Sequence, residues 1–494
     1  MTTPNGNKLI LVELNEITWT LVDPLIRRGM LPNFARLAGE GARATPIADE
    51  EGADLDPWVS WTTVYTGRKA ADHGVRFLEQ PPETVKGPRV WDIVADAGRP
   101  VGVFGSIMSW PPRKDITGYW VPGTFSPGHD TFPAALEPIQ ELNLTYTREH
   151  TPVGGNVRRR MGKVELVLRL KALGLRVATL ARIAAFFARR AVGAAAEWEK
   201  VSMQPLINFD FFEALWKRHR PAFATFHSNH VAHYQHRYWR AADATGFLEK
   251  PSAEEVRKYG DAIPFGHRVA DELLGRILAM ADADTTIVVA SGLAQKPYVT
   301  EEFRGGRSVL RIRDIGQVIE LLGVAGTCRP YSVMAPQWNL EFANEADCAT
   351  AAAALAAATF GDPAQPLFAH TVVGNTISIN IRQKLPRPID WDARCTFPAT
   401  GRSVAMHELC AEKDPTPKQG HHDRAGVLIV HGPQVPAGVD LGECSTLDLA
   451  PTMLALMGLP VPSHMVGKVL LGAGAQALPR SAQPRREGKL HEPA

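Results

Sequence analysis

Five short runs in this chain are apolar almost throughout: "LILVEL" (9–14), "VGVFGS" (101–106), "FATFHS" (223–228), "TIVVAS" (286–291) and "GVLIVHG" (426–432). A strand with one wet face alternates apolar and polar residues. Near-continuous runs belong to strands covered on both faces, as in a parallel sheet. Helical patterns separate most of them. In "WTLVDPLIRRGMLPNFARLAGEGA", Trp19, Leu21, Val22, Leu25 and Ile26 mark an apolar face, and Gly29 is placed to stop the helix. Strand and helix in repetition predict a doubly wound, mostly parallel α/β sheet with helices on both faces. Sites in such folds lie at the carboxyl ends of the strands.

Residues 137–221 break this rhythm and read as a helical cap on a core built from 1–136 and 222–472; residues 473–494 read as a disordered tail. Within the cap, residues 158–200 predict one long helix or two, with Lys or Arg at 158–160, 163, 169, 171, 176, 182, 189, 190 and 200. The plain expectation is a packed cap with a solvated basic face. The alternative is peripheral membrane contact through the basic helix at 158–190. Further on, "CATAAAALAAATFG" (348–361) predicts a helix, and "HTVVGNTISINIR" (370–382) alternates like a strand.

A net charge of +2 offers no broad field for nucleic acid, so none is expected as a partner. The apolar run that starts the chain is broken at Glu13, too early for a signal peptide or a membrane span. Cys328, Cys348, Cys395, Cys410 and Cys444 form no CxxC pair, which argues against a thiolate zinc site and for a reducing, cytoplasmic setting.

Chemistry-bearing residues gather at the strand ends. "FHSNHVAHYQHRYW" places His227, His230, His233 and His236 three residues apart after one strand. On a helix this spacing drifts by about 60° per step, so two or three of these residues at most could share a site. "ELNE" (13–16) closes the first strand, and "HHDRAG" (421–426) precedes the last run. These His, Asn, Asp and Glu side chains suit a divalent ion such as zinc or manganese. Asp56-Pro57 predicts a helix start, with Ser60 and Thr62 near an N-terminus that could hold an anion.

In order along the chain, these segments resemble the alkaline phosphatase superfamily, nearest its type I phosphodiesterase/nucleotide pyrophosphatase branch. "LVELNEITWTLVDPLIRRGMLPNFARLAGEGA" is similar to its opening metal-ligand strand and helix, and "SWTTVYTGRKAADHGV" to its nucleophile helix. "HRYW" is similar to its Asp-x-x-x-His-x-x-Trp motif, "GHHDRAGVLIVHGP" to its final His motif, and "STLDLAPTMLALMGLPVP" to its closing helix. The resemblance implies a two-metal site, usually zinc, and a Ser or Thr nucleophile. This chain departs from that pattern. Asn15 stands at the first Asp, Pro57 at the nucleophile, Ala232 at a second Asp, and Gly292-Leu293 at the Asp-His pair; His236 and His422 match.

The standard two-metal site is therefore not expected. What remains predicts at most one divalent metal, zinc or manganese, on His236, His422 and Asn15. Asp56, His233, His236, His422 and Lys296 are the expected catalytic groups, and Asn15, Glu16, Ser60, Thr62 and His230 the expected substrate contacts. The implied activity is hydrolysis or group transfer on a small anionic substrate such as a phosphoester or phosphodiester. The alternative is an inactive relative kept as a binding or scaffold protein.

Overall fold

The computed structural model describes residues 7–148, 163–301, 304–333, 336–382, 388–413 and 417–472. The predicted tail and Arg158, Arg159 and Arg160 lie outside the described residues. The strands that position the site are β1 (Lys8–Leu14), β2 (Ala42–Ile47), β3 (Val101–Phe104), β4 (Gly118–Val121), β5 (Phe223–Ser228), β6 (Thr285–Ala290), β7 (Ala294–Pro297), β8 (Gly420–Asp423), β9 (Leu428–His431) and β10 (Val439–Ser445). Eight of these form one sheet in the order β10-β2-β9-β6-β1-β5-β3-β4, and β7 and β8 form a separate antiparallel ribbon. Strand β9 runs against both neighbours while the other pairings are parallel. The fold is thus mixed α/β with a large, mostly parallel central sheet. "GVLIVHG" corrects the expectation of a parallel strand: it is the one reversed strand of the sheet.

The apolar runs are explained by cover on both faces. The main helices are α1 (Trp19–Arg27), α2 (Pro32–Glu40), α3 (Pro57–Thr66), α4 (Val90–Asp96), α5 (Val177–Ala191), α6 (Met203–His219), α7 (His230–Ala242), α8 (Ala262–Met280) and α9 (Leu449–Leu456). Leu9 and Leu11 of β1 pack in one cluster with Trp61, Trp91 and Leu454 from α3, α4 and α9. Ile10 and Val12 pack in another with Val22, Phe34, Phe212 and Leu274 from α1, α2, α6 and α8. Each such side chain contributes roughly 1.5–3 kcal/mol by leaving water, so neither face of β1 tolerates a polar substitution. After Lys8, the next polar residues are Glu13 near the end of the strand and Asn15 and Glu16 just past it, all three buried.

Where one long helix or two were predicted over 158–200, the described residues form two α-helices. Lys163–Ala172 and α5 are separated at Gly174, whose φ of 123° an L side chain rarely adopts. Helix α6, at the end of the predicted cap, covers the sheet instead: Phe212 lies 5.2 Å, centroid to centroid, from Phe226 of β5.

Between β7 and β8 the chain leaves the central sheet and builds a lobe with its own core, from Leu310 to Cys410. Here "HTVVGNTISINIR" is a hairpin rather than one strand: Phe368–Val373 and Thr376–Ile381 pair around Gly374, which has a φ of 56°. The alternation that suggested a single strand runs through the turn. The Ala-rich helix predicted at 348–361 runs Glu345–Ala357, capped by Asn344, and gives way to a short strand at Thr359–Phe360. The lobe is tied back to the sheet domain by Tyr331 Oη donating to the Glu79 carbonyl (3.2 Å) and Asn339 Nδ2 donating to the Leu78 carbonyl (3.0 Å).

Candidate metal centre

Glu16 lies just past the carboxyl end of β1, in the left-handed backbone region at φ 60°. A glutamate rarely occupies that region, and a non-glycine residue held there carries a local cost. Its surroundings fix the side chain. Asn15 Nδ2 donates to Glu16 Oε1 at 2.9 Å, and Gln295 Nε2 donates to Oε2 at 2.5 Å. Asn15 is itself pinned, since Trp61 Nε1 donates to its Oδ1 (2.8 Å) and its amide also reaches Asn229 Oδ1 (2.7 Å). The asparagine expected as a ligand thus serves to position the glutamate beside it.

Two histidines face the free side of Oε2. His236, on α7, has Nε2 at 3.0 Å, and His422, on β8, has Nε2 at 3.4 Å. The other ring nitrogen of each meets a backbone carbonyl: His236 Nδ1 at Gly420 (3.0 Å) and His422 Nδ1 at Leu55 (2.8 Å). A carbonyl only accepts, so both Nδ1 atoms must carry the hydrogen. The two Nε2 lone pairs therefore point toward a carboxylate oxygen. All three ligand atoms lie within 4.8 Å of one another.

Converging lone pairs repel unless a cation joins them. Burial pushes His236 down to about 4, with Lys418 adding to the effect, so its ring is neutral at pH 7. Burial opposes ionisation of Glu16, but His236, His422 and Lys418 together hold it well below the usual carboxylate range. One carboxylate and two imidazoles make a donor set suited to a divalent ion. Two His and one Glu is also a ligand set of zinc sites that keep a coordination position open for chemistry. The carbonyls behind each Nδ1 supply the outer hydrogen bonds that orient ligating imidazoles.

Local folding explains how these groups meet. His422 is opposite Gln295 in the β7–β8 ribbon and His421 is opposite Lys296. Opposed residues of antiparallel strands share a face, so Gln295 and His422 turn inward together while Lys296 turns outward. Lys296, more than half exposed, pairs with Asp423 at 2.9 Å. The cations near the centre are others. Lys418 and Arg307 exchange backbone hydrogen bonds of 2.8 and 3.0 Å and repel each other. Burial, with Arg307 second, brings Lys418 down to about 8, against the attraction of Glu16 and Asp56. Burial also lowers the Arg307 pKa; its guanidinium carbon lies 5.2 Å from the Tyr298 ring centroid, and its Nε has no hydrogen-bond partner among the described residues. Asp56 stands at the start of α3 as predicted, but its side chain makes no capping bond; its Oδ1 is 3.2 Å from His422 Nδ1.

The other expected site residues are placed elsewhere. Ser60 and Thr62 are fully buried in α3, and the Thr62 hydroxyl donates to the Trp58 carbonyl at 2.7 Å, so neither lines an anion site at the helix start. His230 is buried between Ser228 Oγ (2.7 Å) and the Gly266 carbonyl (3.0 Å). His233 sits against the edge of Tyr234, with ring centroids 6.1 Å apart, and is not one of the three converging groups. His227 lies on β5 and meets the buried Glu13 carboxylate at 2.9 Å. Of the four clustered histidines, His236 alone reaches Glu16. Sequence reasoning missed Lys418, Arg307 and Gln295. The only hint was that Lys418 and His422 flank the same short "KQGHH" segment.

The chain matches no model of a known protein family, and no curated protein matches it. Its resemblance to the alkaline phosphatase superfamily therefore rests on the quoted motifs alone.

Proposed function

We propose that the chain is a hydrolase or group-transfer enzyme acting on a small anionic ester, of the phosphoester or phosphodiester class. One divalent ion, zinc or manganese, would be held by Glu16, His236 and His422. The observation that supports this reading is the convergence of two imidazoles on an ionised carboxylate, with Lys418 acting on the same carboxylate and Arg307 next to Lys418. A bound ion would polarise the ester and lower the pKa of a water on it. The chain's own groups supply the rest. Lys418 and Arg307 compensate the charge of the anionic oxygens, and Asp56 and the Leu55 carbonyl keep His422 in the tautomer that leaves Nε2 free. With Pro57 where the family places a hydroxyl, water is the expected nucleophile.

The second reading, a non-catalytic binding protein, is favoured by that same proline and by the burial of the Thr62 and Ser60 hydroxyls. Elemental mass spectrometry of protein purified without chelator or affinity-tag metal separates the two readings, when combined with turnover of aryl phosphate monoester and diester probes. About one ion per chain and turnover, both lost in a His236→Ala/His422→Ala variant, is the expected outcome. Metal without turnover selects the binding protein. Absence of both removes the metal centre as well.

Lys418→Met should weaken inhibition by inorganic phosphate or vanadate by about tenfold or more, the scale of one charge-assisted hydrogen bond at roughly 1.5–3 kcal/mol. Lys296→Ala should leave it unchanged, because an exposed ion pair contributes about 0–1 kcal/mol and points away from the centre. Equal effects of the two variants would show that the wrong lysine has been assigned to the anion.

A further inference from the structure

Helix α5 is built the opposite way round from an ordinary surface helix. It buries Thr179 and Phe186, and its outward stripe of Val177, Ala181, Ala184, Phe187, Ala188 and Ala191 is exposed to solvent and wholly apolar. Phe187 is 61% exposed and Val177 66%; Val192, just past the helix end, is 79% exposed. The charged residues lie on the flanks, toward the body of the protein. There Arg182 meets Glu272 (2.7 Å), Arg189 meets Glu199 (2.6 Å), Arg190 meets Glu197 (3.0 Å), and Arg176, just before the helix, meets Glu213 (3.5 Å). At 3.6 residues per turn, the arginines border the apolar stripe on both sides. A soluble helix of this length normally turns its apolar face inward.

We propose that this face docks on an anionic lipid surface, with the apolar stripe entering the headgroup boundary and the flanking arginines facing lipid phosphates. Local charge selects this occupant over an apolar protein partner. Residues 163–200 carry eight Lys or Arg against three Asp or Glu, whereas the whole chain is balanced to +2. The Arg182–Glu272 and Arg190–Glu197 pairs are exposed on both sides, so they contribute little in water and can exchange carboxylate for phosphate at small cost. An aromatic and aliphatic stripe bordered by arginines is the pattern of helices that lie in the membrane interface. No helix among the described residues is long and apolar enough to cross a membrane, so contact through α5 would be peripheral. The proposal does not depend on the metal centre.

Sedimentation of the full chain with phosphatidylcholine vesicles, with and without phosphatidylglycerol, tests it. Binding should appear only with the anionic lipid and weaken as salt rises. Phe187→Glu should lower partitioning by about tenfold or more, the scale of one large apolar group kept out of the interface, and Ala184→Glu should lower it in the same direction by placing a negative charge in the stripe. Both positions are exposed, so circular dichroism and melting should be unchanged. Equal binding of wild type and both variants, or no binding of any, overturns the proposal. So does a chain that is dimeric by light scattering, becomes monomeric in Phe187→Glu and ignores vesicles, which would assign the stripe to a second copy.

Discussion

Glu16→Gln should remove the ion from the protein while leaving the fold intact. The amide keeps the shape and can still accept from Asn15, but it loses the negative charge that the two imidazoles cannot supply. The loss of affinity should go well beyond the roughly 10–100-fold that follows removal of an outer-shell partner. Melting with added zinc or manganese reads this directly. An ion that binds only the folded chain stabilises it by about 2.7 kcal/mol at a hundredfold excess over Kd. The wild-type melting temperature should therefore climb with ion concentration, and that of Glu16→Gln should stay flat. If both climb alike, the ion is bound elsewhere and the converging histidines are structural.

A second large effect is expected at Glu79, far in sequence from the centre. Its backbone φ is 55°, its amide meets Met108 Sδ at 3.3 Å, and its side chain is almost completely buried where the lobe meets the sheet domain. Burial raises its carboxyl from 4.5 to about 8, and Arg89 only partly offsets this. The sign follows from which state holds the proton. Below pH 4.5 the group is protonated in both states and its contribution is fully present. As pH rises the unfolded chain releases the proton first, so stability falls until the folded pKa near 8 is passed. The loss across that window has an upper bound of about 5 kcal/mol. Glu79→Gln should flatten the pH dependence of melting between pH 5 and pH 8 and raise stability at the alkaline end. A variant whose profile parallels wild type would show that Glu79 is solvated or paired when charged.

The sheet was legible because burial on both faces writes itself into strands as unbroken apolar runs, as in β1 and β5. The reversal of β9 left no such trace, since a covered strand has the same composition in either direction. His236, His422 and Glu16 were legible as residue types at strand ends. Their roles were not, because Asn15 and Glu16 differ only in which side chain the left-handed turn aims at the histidines. The four-histidine spacing overstated the site, as its members divide between a strand end and different faces of α7. Lys418 and Arg307 were hidden because they are distant in sequence and are brought together by the return of the chain from the lobe. Asp56 was placed correctly as the residue before a helix, yet its carboxylate turned from capping to His422.

That return has a consequence for how such a chain could diversify. The lobe is strung between Pro297 and Gly420, the two ends of one short ribbon whose inward residues are Gln295 and His422. Everything beyond the Arg307–Lys418 bridge could be lengthened, trimmed or exchanged without shifting a single register of the central sheet. The three converging groups are anchored on the sheet side, and the lobe's own surface is free to vary on the other. Two proteins could therefore share this centre and recognise unrelated molecules, separated by a single graft.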